Sequence, residues 1–485
     1  MTSLTEPATS PAAAVLRVYD PRSGSPVGTL GAATREEVAL ALSVSRAAQP
    51  DWTRMDPQRR GVLLRSAANA LAEGADALAE MNGRETGRPV DEALAGIRAG
   101  VATLEQHAEL GPVHRGHSLR GSVLAADYTV AEARGVAVLL TPWNDPVAVA
   151  AGLIGAALVT GNTVIHKPSE RCPHLGLLLG ELLSRVFPPG VLLTLTGGPE
   201  VGAMLTTTDA DVFAHVGSSA SGLRIARAAV LTGAHVVREN GGNDPLVVDA
   251  GVDPAWAAEQ AAIGAFSNSG QICTSVERIY VHQDIADPFC SALAEQARRR
   301  NAEHPLAPLV DTRLRDVVHA QVAHAIALGA RATAGGAVPA GPGAYYPATV
   351  LLGCTERMEI MTDETFGPVA PVQVVADFAE GLRLASAGRY GLAATILTGS
   401  IEHAHRAVAA LPVGTVKINA VFGGAPGGSA QPRGASGDGF GYGPELLDEF
   451  TRVKVVHVSI PPAADTPPES PQTDPVQTDT VQEPQ

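Results

Sequence analysis

The sequence has few cysteines, few aromatic residues and no long uninterrupted apolar segment. Its 485 residues include four cysteines, with no CxxC pair, at positions 172, 273, 290 and 354. That scarcity excludes a disulfide framework, favours reduced thiols and leaves no zinc-ligand spacing, so no metal site is predicted. The longest apolar run, residues 146–161, is too short and too interrupted by glycine to span a bilayer. The N-terminus lacks a basic stretch followed by an apolar core, so we expect no secretory signal and a cytoplasmic protein.

Positive charge is also scarce. Lys and Arg total 35 against 50 Asp and Glu, which gives a net charge of −15 and an isoelectric point near 5.4. This balance argues against nucleic acid or an anionic membrane as a partner. The last 25 residues, 461–485, contain seven prolines and five acidic residues but no Lys or Arg. We predict that they form a disordered acidic tail.

The apolar pattern changes twice along the chain. From Arg35 to Glu109, apolar residues recur at three- and four-residue spacing, which predicts helices. An alternating ribbon follows, and after it apolar strands alternate with amphipathic helices up to residue 240. A second series of the same kind begins at Asp244. Such alternation is typical of parallel, doubly wound sheets, so the predicted class is α/β, with a Rossmann-like cofactor domain and a second α/β catalytic domain.

Three residues form a minimal set for covalent catalysis at a carbonyl. Cys273 lies in SNSGQICTSVERIYV, 34 positions after Glu239, which precedes a Gly-Gly pair. Asn144 follows the predicted strand GVAVLLTP. Taken singly, each residue also has a purely structural interpretation: Cys273 as a core thiol, Glu239 as a partner in a surface ion pair, and Asn144 as a turn residue. Together they supply a nucleophile, a base and an amide donor for an oxyanion.

The predicted strand ends also carry candidate nucleotide contacts. Lys167 and Glu170 lie in HKPSE, where a strand gives way to a helix. There they suit ribose hydroxyls, although a solvated strand end and a helix N-terminal acid would look the same. The run GSSASG, Gly217 to Gly222, opens a helix whose N–H groups suit a pyrophosphate. It matches neither GxGxxG nor the GK[ST] of a P-loop, which disfavours a nucleotide triphosphatase.

Assembled, these segments resemble the aldehyde dehydrogenase superfamily over residues 17 to 458. Eight segments carry the resemblance in order along the chain: TPWNDP, GNTVIHKPSE, VGSSASG, RENGGN, NSGQICT, ETFGPV, YGLAATILTGS and GTVKINA. The spacing of 34 positions between the glutamate and the cysteine also matches the family.

The resemblance implies oxidation of an aldehyde to the carboxylic acid with NAD(P)+. Cys273 would attack the aldehyde, Asn144 would bind the oxyanion, and Glu239 would activate the water that hydrolyses the thioester. It also implies a set of cofactor-binding residues: Thr141, Trp143, Lys167, Ser169, Glu170, Gly217, Ser218, Gly222, Glu364 and Phe366. A carboxylate at Glu170 would repel a 2′-phosphate, so NAD is preferred, with NADP as the alternative.

The same resemblance implies a domain layout and an assembly. The expected domains are a NAD-binding domain at 1–118 and 137–240, a catalytic domain at 241–421, and a β-ribbon oligomerisation arm at 119–136 and 444–460. A homodimer or homotetramer acting on a small-molecule aldehyde is expected.

Departures from the family pattern lie in the expected substrate pocket, which includes Asp145, Ile272 and Thr274. Asp145 and Lys417 both stand where an aromatic residue is usual, and Phe440 falls near an expected arginine. The glycine-rich stretch near the C-terminus suggests an aromatic aldehyde, whereas GGNDPLVV with NSGQICT suggests a phosphonate- or phosphate-bearing aldehyde. The specific aldehyde stays open.

Three other functions compete with this one. A CoA-acylating relative would not need a base at Glu239. A non-catalytic paralogue would have lost the nucleophile or the base, and neither is lost. A thiol hydrolase would need a histidine partner for Cys273, and His215 precedes the glycine turn and looks structural.

Overall fold

The computed structural model describes residues 14–423 and 428–461. Its α-helices are, in chain order, α1 (Arg35–Arg54), α2 (Pro57–Glu73), α3 (Ala75–Thr86), α4 (Val90–Leu110), α5 (Pro146–Val159), α6 (Pro173–Ser184), α7 (Pro199–Thr206), α8 (Ser219–Thr232), α9 (Pro254–Phe266), α10 (Ala286–Glu303), α11 (Thr312–Ala327), α12 (Phe378–Ala385), α13 (Ile401–Ala410) and α14 (Leu446–Glu449).

The strands of the described residues are β1 (Val15–Tyr19), β2 (Pro26–Gly31), β3 (Ser118–Leu119), β4 (Ala125–Ala133), β5 (Val136–Leu140), β6 (Thr163–Lys167), β7 (Leu192–Thr194), β8 (Val212–Gly217), β9 (His235–Asn240), β10 (Asp244–Val248), β11 (Val276–His282), β12 (Arg331–Ala334), β13 (Thr349–Leu352), β14 (Val369–Val375), β15 (Tyr390–Gly391), β16 (Ala393–Leu397), β17 (Thr415–Ile418), β18 (Arg433–Gly434), β19 (Gly437–Asp438) and β20 (Thr451–Ser459).

Local sequence signals set where the N-terminal helices begin. Thr34 and Glu37 form a reciprocal capping box at the start of α1, in which each side chain accepts from the other residue's backbone N–H. Asp56 caps α2 with Pro57 in its first turn. The indole N–H of buried Trp52 donates to the Leu158 carbonyl at 3.1 Å, which ties α1 to α5. These contacts attach the helical N-terminal part to the first sheet.

The first sheet has six strands in the order β19-β9-β8-β5-β6-β7. Its five longer strands pair in parallel, and β19 joins the edge antiparallel to β9. Every residue of β5 and β6 is buried, as expected when helices cover both faces of a parallel sheet. The chain leaves β5 first to one side, toward β6, and later returns to the other side, at β8. This is a topological switch point, where ligands bind beyond the carboxyl ends of the strands.

The second sheet has seven strands in the order β12-β13-β14-β11-β10-β16-β17. All its pairs are parallel except β12 with β13, and β10 and β16 are buried along their whole length. Apolar clusters pack around both sheets. The mixed α/β class with a Rossmann-like sheet, predicted from the alternating pattern, is therefore confirmed.

Contacts within the chain divide the described residues into two units. The larger comprises residues 14–114 and 131–452 and contains both sheets. The smaller comprises residues 115–130 and 453–461 and supplies most of a three-stranded sheet in the order β20-β4-β3. Residues 131–136 and 444–452, assigned to the arm from sequence, belong to the larger unit. The predicted tail lies outside the described residues apart from residue 461, and no helix among the described residues is long and apolar enough to cross a membrane.

Candidate active site

A cavity of about 400 Å³ opens at the switch point of the first sheet, beyond the ends of β5, β6 and β8. Seven of the predicted cofactor-binding residues line it: Thr141, Trp143, Lys167, Ser169, Glu170, Gly217 and Ser218. Lys167 is buried, and its ammonium donates to the carbonyls of Pro168 and Gly197, at 2.7 Å each. An ammonium has three N–H donors, so one remains for a ligand. Burial lowers the pKa of Lys167.

The polar groups of this cavity suit a dinucleotide. The Ser218 hydroxyl caps α8 by accepting from the Ser221 N–H, and the first turn of that helix faces the cavity. His215 Nδ1 and Ser219 Oγ are buried without a hydrogen-bond partner among the described residues. Burial lowers the pKa of His215 to about 4, so it is neutral near pH 7. A helix N-terminus, a lysine and a glutamate are together the donors and acceptors that phosphates and ribose hydroxyls need.

Gly222, assigned to cofactor binding from sequence, is not among the residues lining this cavity. It lies within α8, against the side chain of Asn240, and a Cβ there would come within 2.9 Å of the Asn240 amide nitrogen. The structure thus gives Gly222 a packing role between α8 and β9.

Glu364 and Phe366 approach from the second sheet. The Gly242 N–H donates to the Glu364 carboxyl group, and any side chain at Gly241 would overlap that carboxyl group. The Gly-Gly pair after Glu239 therefore gives room to Glu364, where the sequence suggested room for water or substrate. Phe366 packs edge-to-face on Trp143, with ring centroids 5.5 Å apart.

Glu277, on β11, holds the turn that carries these two residues. Its carboxylate accepts from the backbone N–H groups of Thr365 at 2.9 Å and Phe366 at 2.8 Å, and from the Asn243 amide at 3.3 Å. Phe366 has a φ of 53°, a strained conformation for a bulky residue. The two hydrogen bonds from Glu277 stabilise that backbone.

Cys273 follows a turn built from left-handed residues. Asn268, Ser269 and Gly270 have φ values of 47°, 55° and 74°, and a Cβ at Gly270 would overlap the Gly367 carbonyl. Buried Gln271 fastens the turn, because its side chain donates to the Asn268 carbonyl at 3.0 Å and accepts from the Val310 N–H at 2.9 Å. Asn268 and Ser269 are two consecutive non-glycine residues in the left-handed region, held there by side-chain bonds, as is common in functional loops.

The thiol itself lies among acidic groups. Cys273 is exposed, whereas Cys172 and Cys354 are buried and Cys290 is half-buried. Desolvation by the surrounding protein raises the pKa of Cys273 to about 12, with further increases from Glu239, Asp244 and Glu364 and an opposing hydrogen bond from the Thr274 N–H. Because the residue is exposed, water screens part of this effect. The resting group is a thiol, so attack needs a base.

Glu239 is placed to be that base. It is the fifth residue of β9, and its charge acts on the thiol of Cys273, which lies in the loop before β11 of the other sheet. Desolvation raises the pKa of Glu239 to about 8, opposed by the Gly441 N–H, which donates to Oε1 at 3.1 Å. A side chain at Gly441 would overlap the Glu239 side chain. A carboxyl group with a pKa near the working pH suits general base catalysis.

Asn144 points toward the loop of the nucleophile. Its amide donates to the Gln271 carbonyl at 3.1 Å, which leaves its second N–H available for an oxyanion. Arg88, before α4, donates to the Asn144 carbonyl at 3.1 Å and to the Asp145 carboxylate at 3.0 Å. The Asp145 charge is therefore paired with Arg88. Ile272 and Thr274 are half-buried on either side of Cys273.

Sequence reasoning did not identify several residues that shape this site. They are Arg88, Gln271, Glu277, Gly441 and Tyr442, each of which contacts or interacts electrostatically with a predicted site residue. For Gln271, the signal in the sequence is its position directly after a glycine in the turn that leads to Cys273. Glu277 and Arg278 lie next to each other in the buried strand VERIYV. Charged side chains are rarely buried unless they are paired, so each of the two is expected to have a hydrogen-bond or ion-pair partner.

Comparison with known proteins gives a consistent result. A model of the aldehyde dehydrogenase family matches residues 8–456. A betaine aldehyde dehydrogenase of Cereibacter sphaeroides is 34% identical over 469 residues, covering 93% of this chain and 95% of that protein. An α-ketoglutarate semialdehyde dehydrogenase of Haloferax volcanii is 34% identical over 398 residues, covering 79% and 82%.

Solved structures agree with these sequence matches. The structure of a succinate-semialdehyde dehydrogenase from Burkholderia pseudomallei superposes with a TM-score of 0.88 at 29% identity, covering 92% of this chain and 95% of that one. That of a betaine aldehyde dehydrogenase from Staphylococcus aureus, in complex with NAD+, gives a TM-score of 0.89 at 26% identity, covering 94% of both.

Proposed function

The chain belongs to the aldehyde dehydrogenase family and is an NAD(P)-dependent aldehyde dehydrogenase, and we propose that Cys273, Glu239 and Asn144 carry out its reaction. One observation carries the proposal. The carboxyl group of Glu239, on β9 of the first sheet, and the thiol of Cys273, in the loop before β11 of the second, are close enough to interact electrostatically. Trp143 supports a cofactor beside these groups, because it lines the cavity that suits a dinucleotide, packs on Phe366 and directly precedes Asn144.

In the first half-reaction, Cys273 loses its proton to Glu239, and its sulfur attacks the aldehyde carbon. A C–S bond forms, and the carbonyl oxygen becomes an oxyanion. The free N–H of Asn144 and the backbone N–H of Cys273 stabilise that charge. NAD, held by the residues that line the switch-point cavity, would supply the hydride acceptor, so that the carbon bonded to Cys273 would become a thioester carbon.

Glu239 first releases to solvent the proton that it took from Cys273. In the second half-reaction it takes a proton from water, which it later passes to the departing Cys273 sulfur. The resulting hydroxide attacks the thioester carbon, a C–O bond forms, and the C–S bond breaks with the thiolate of Cys273 as the leaving group. Gly441 supports this step, because its N–H holds the Glu239 carboxylate at 3.1 Å. The acid product and the regenerated thiol complete the cycle.

The remaining residue roles are proposals of the same kind. Lys167, Ser169 and Glu170 hold the adenosine ribose, Gly217 and Ser218 hold the pyrophosphate, and Glu364 with Phe366 positions the nicotinamide half. A carboxylate at Glu170 repels a 2′-phosphate, so NAD is preferred over NADP. Residues 115–130 and 453–461, with exposed Val453, Val455 and Ile460, are proposed to join subunits of a homodimer or homotetramer. Four free thiols support a reducing, cytoplasmic location.

The test compares wild type with Cys273→Ala. Wild type should form NADH from an aldehyde and NAD without CoA, and Cys273→Ala should form none while binding NAD as before. Cys290→Ala is the matched control, because Cys290 is half-buried on α10 outside the proposed site, and it should keep full activity. Substantial turnover by Cys273→Ala would refute the role of the thiol, and a strict requirement for CoA would refute hydrolysis by Glu239.

A further inference from the structure

A lysine ammonium lies beside the nucleophile. The sequence contains only three lysines, Lys167, Lys417 and Lys454. Lys417, on β17, donates to the Val421 carbonyl at 2.7 Å, and its Nζ lies 3.5 Å from the carbonyl oxygen of Thr274, the residue after Cys273. The Lys417 ammonium and the Cys273 thiol are close enough to interact electrostatically. One of the three N–H donors of the lysine is left for a further acceptor.

Burial raises the pKa values of the acidic groups around this ammonium. Asp244 interacts with Lys417, but burial raises the pKa of Asp244 to about 8, and its Oδ2 has no hydrogen-bond partner among the described residues. Burial also raises the pKa of Glu239, to about 8, and that of Glu364. Burial lowers the pKa of Lys417, while the charges of Asp244 and Cys273 oppose that change. The Lys417 ammonium is thus the cation beside the sulfur.

The neighbouring side chains offer little to a cationic substrate. Thr415 lies two residues before Lys417, so both side chains share one face of β17. Thr415 hydrogen-bonds Tyr442, which is half exposed and interacts electrostatically with both Cys273 and Glu239. The carboxylate of Asp145, the other charged candidate for substrate contact, is already paired with Arg88 at 3.0 Å.

We infer that Lys417 selects aldehydes that carry an anionic group, a carboxylate, phosphate or phosphonate, and disfavours those with a quaternary ammonium group. This inference rests on the proposed function and specifies its substrate class. It separates the chain from relatives whose name specifies betaine aldehyde, a trimethylammonium compound. An ammonium beside the nucleophile, in a partly desolvated site, changes the relative binding of charged substrates by about 10- to 100-fold.

Three acetaldehydes of nearly equal shape test the inference. They carry a phosphonate, a tert-butyl or a trimethylammonium group, and so differ mainly in charge. With saturating NAD, wild-type kcat/KM should fall in the order anionic, neutral, cationic, by about tenfold or more at each step. Lys417→Met should lower the ratio of anionic to neutral kcat/KM at least about tenfold, and Lys417→Arg should retain it. A four-carbon aldehyde with a terminal carboxylate, compared with pentanal, shows whether the favoured anion is a carboxylate or a phosphonate.

The neutral aldehydes distinguish a failure of the proposed function from a failure of the inference about Lys417. Their oxidation by wild type tests the chemistry of Cys273, whereas the ratio of anionic to neutral kcat/KM tests Lys417. Arg298→Met, which removes an exposed positive charge from α10, should leave that ratio unchanged. The inference is overturned if wild type prefers the trimethylammonium aldehyde, or if Lys417→Met and Lys417→Gln keep the wild-type ratio.

Discussion

Replacement of Gly441 by alanine tests how the proposed base is held. Gly441 donates to Glu239 Oε1 at 3.1 Å, and a Cβ at this position would come within 2.6 Å of both Cδ and Oε1 of Glu239 and closer still to Cγ. The carboxyl group must therefore move and lose this hydrogen bond. A hydrogen bond to a charged group contributes about 1.5–3 kcal/mol. Since about 1.4 kcal/mol corresponds to a factor of ten in rate, hydrolysis of the thioester should slow about 10- to 100-fold.

Rapid mixing of enzyme, NAD and aldehyde separates the two half-reactions. If hydrolysis becomes rate-limiting in Gly441→Ala, a burst of NADH equal to the enzyme concentration should precede a slow steady state. The Kd for NAD should not change, because Gly441 is not among the residues that line the dinucleotide cavity. Gly251→Ala is the control, since a Cβ there meets no atom within 4 Å. A wild-type steady-state rate for Gly441→Ala would refute this placement of the base.

Three further predictions concern single carboxyl groups. Because the pKa of Glu239 is raised to about 8, kcat should rise with pH through about 8 when hydrolysis limits it. The folded state ionises this desolvated carboxyl group at a cost above that pKa. Thermal melts should therefore show that Glu239→Gln stabilises the fold more at pH 9 than at pH 5. Glu277→Gln should raise the KM for NAD about tenfold or more in initial-rate assays, since the N–H groups of Thr365 and Phe366 lose their carboxylate. Glu170→Gln should raise kcat/KM for NADP about tenfold relative to NAD, and an unchanged ratio would contradict the repulsion argument.

The two sheets could be predicted because their strands are buried on both faces. Segments such as VAVLL and TVIHK are continuous apolar runs between amphipathic helices, and this pattern depends on local sequence alone. The glycine-rich stretch near the C-terminus has no strand pattern in its sequence, yet it contains β18 and β19. Gly437 has a φ of 129° and pairs with Glu239. Such a short strand exists because its distant partner supplies the pairing, so local propensity gives no sign of it.

The candidate catalytic residues were identified from short motifs, but the groups that hold them were not. Gly441 lies 202 positions from Glu239, and Arg88 lies 57 positions from Asp145. Neither contact has a local signature, because tertiary folding brings the partners together. Asp145 illustrates the consequence. From sequence it is a free negative charge in the substrate pocket, and in the structure its charge is paired with Arg88.

The most direct measurement is the mass of the enzyme after Glu239→Gln has reacted with aldehyde and NAD. The account predicts about one equivalent of NADH per subunit, followed by very slow turnover. Intact-protein and peptide mass spectrometry should then find the acyl group on Cys273 and on none of the other three cysteines. Turnover by Glu239→Gln at the wild-type rate, or an acyl group on a different residue, would contradict the shared role of this thiol and this carboxylate.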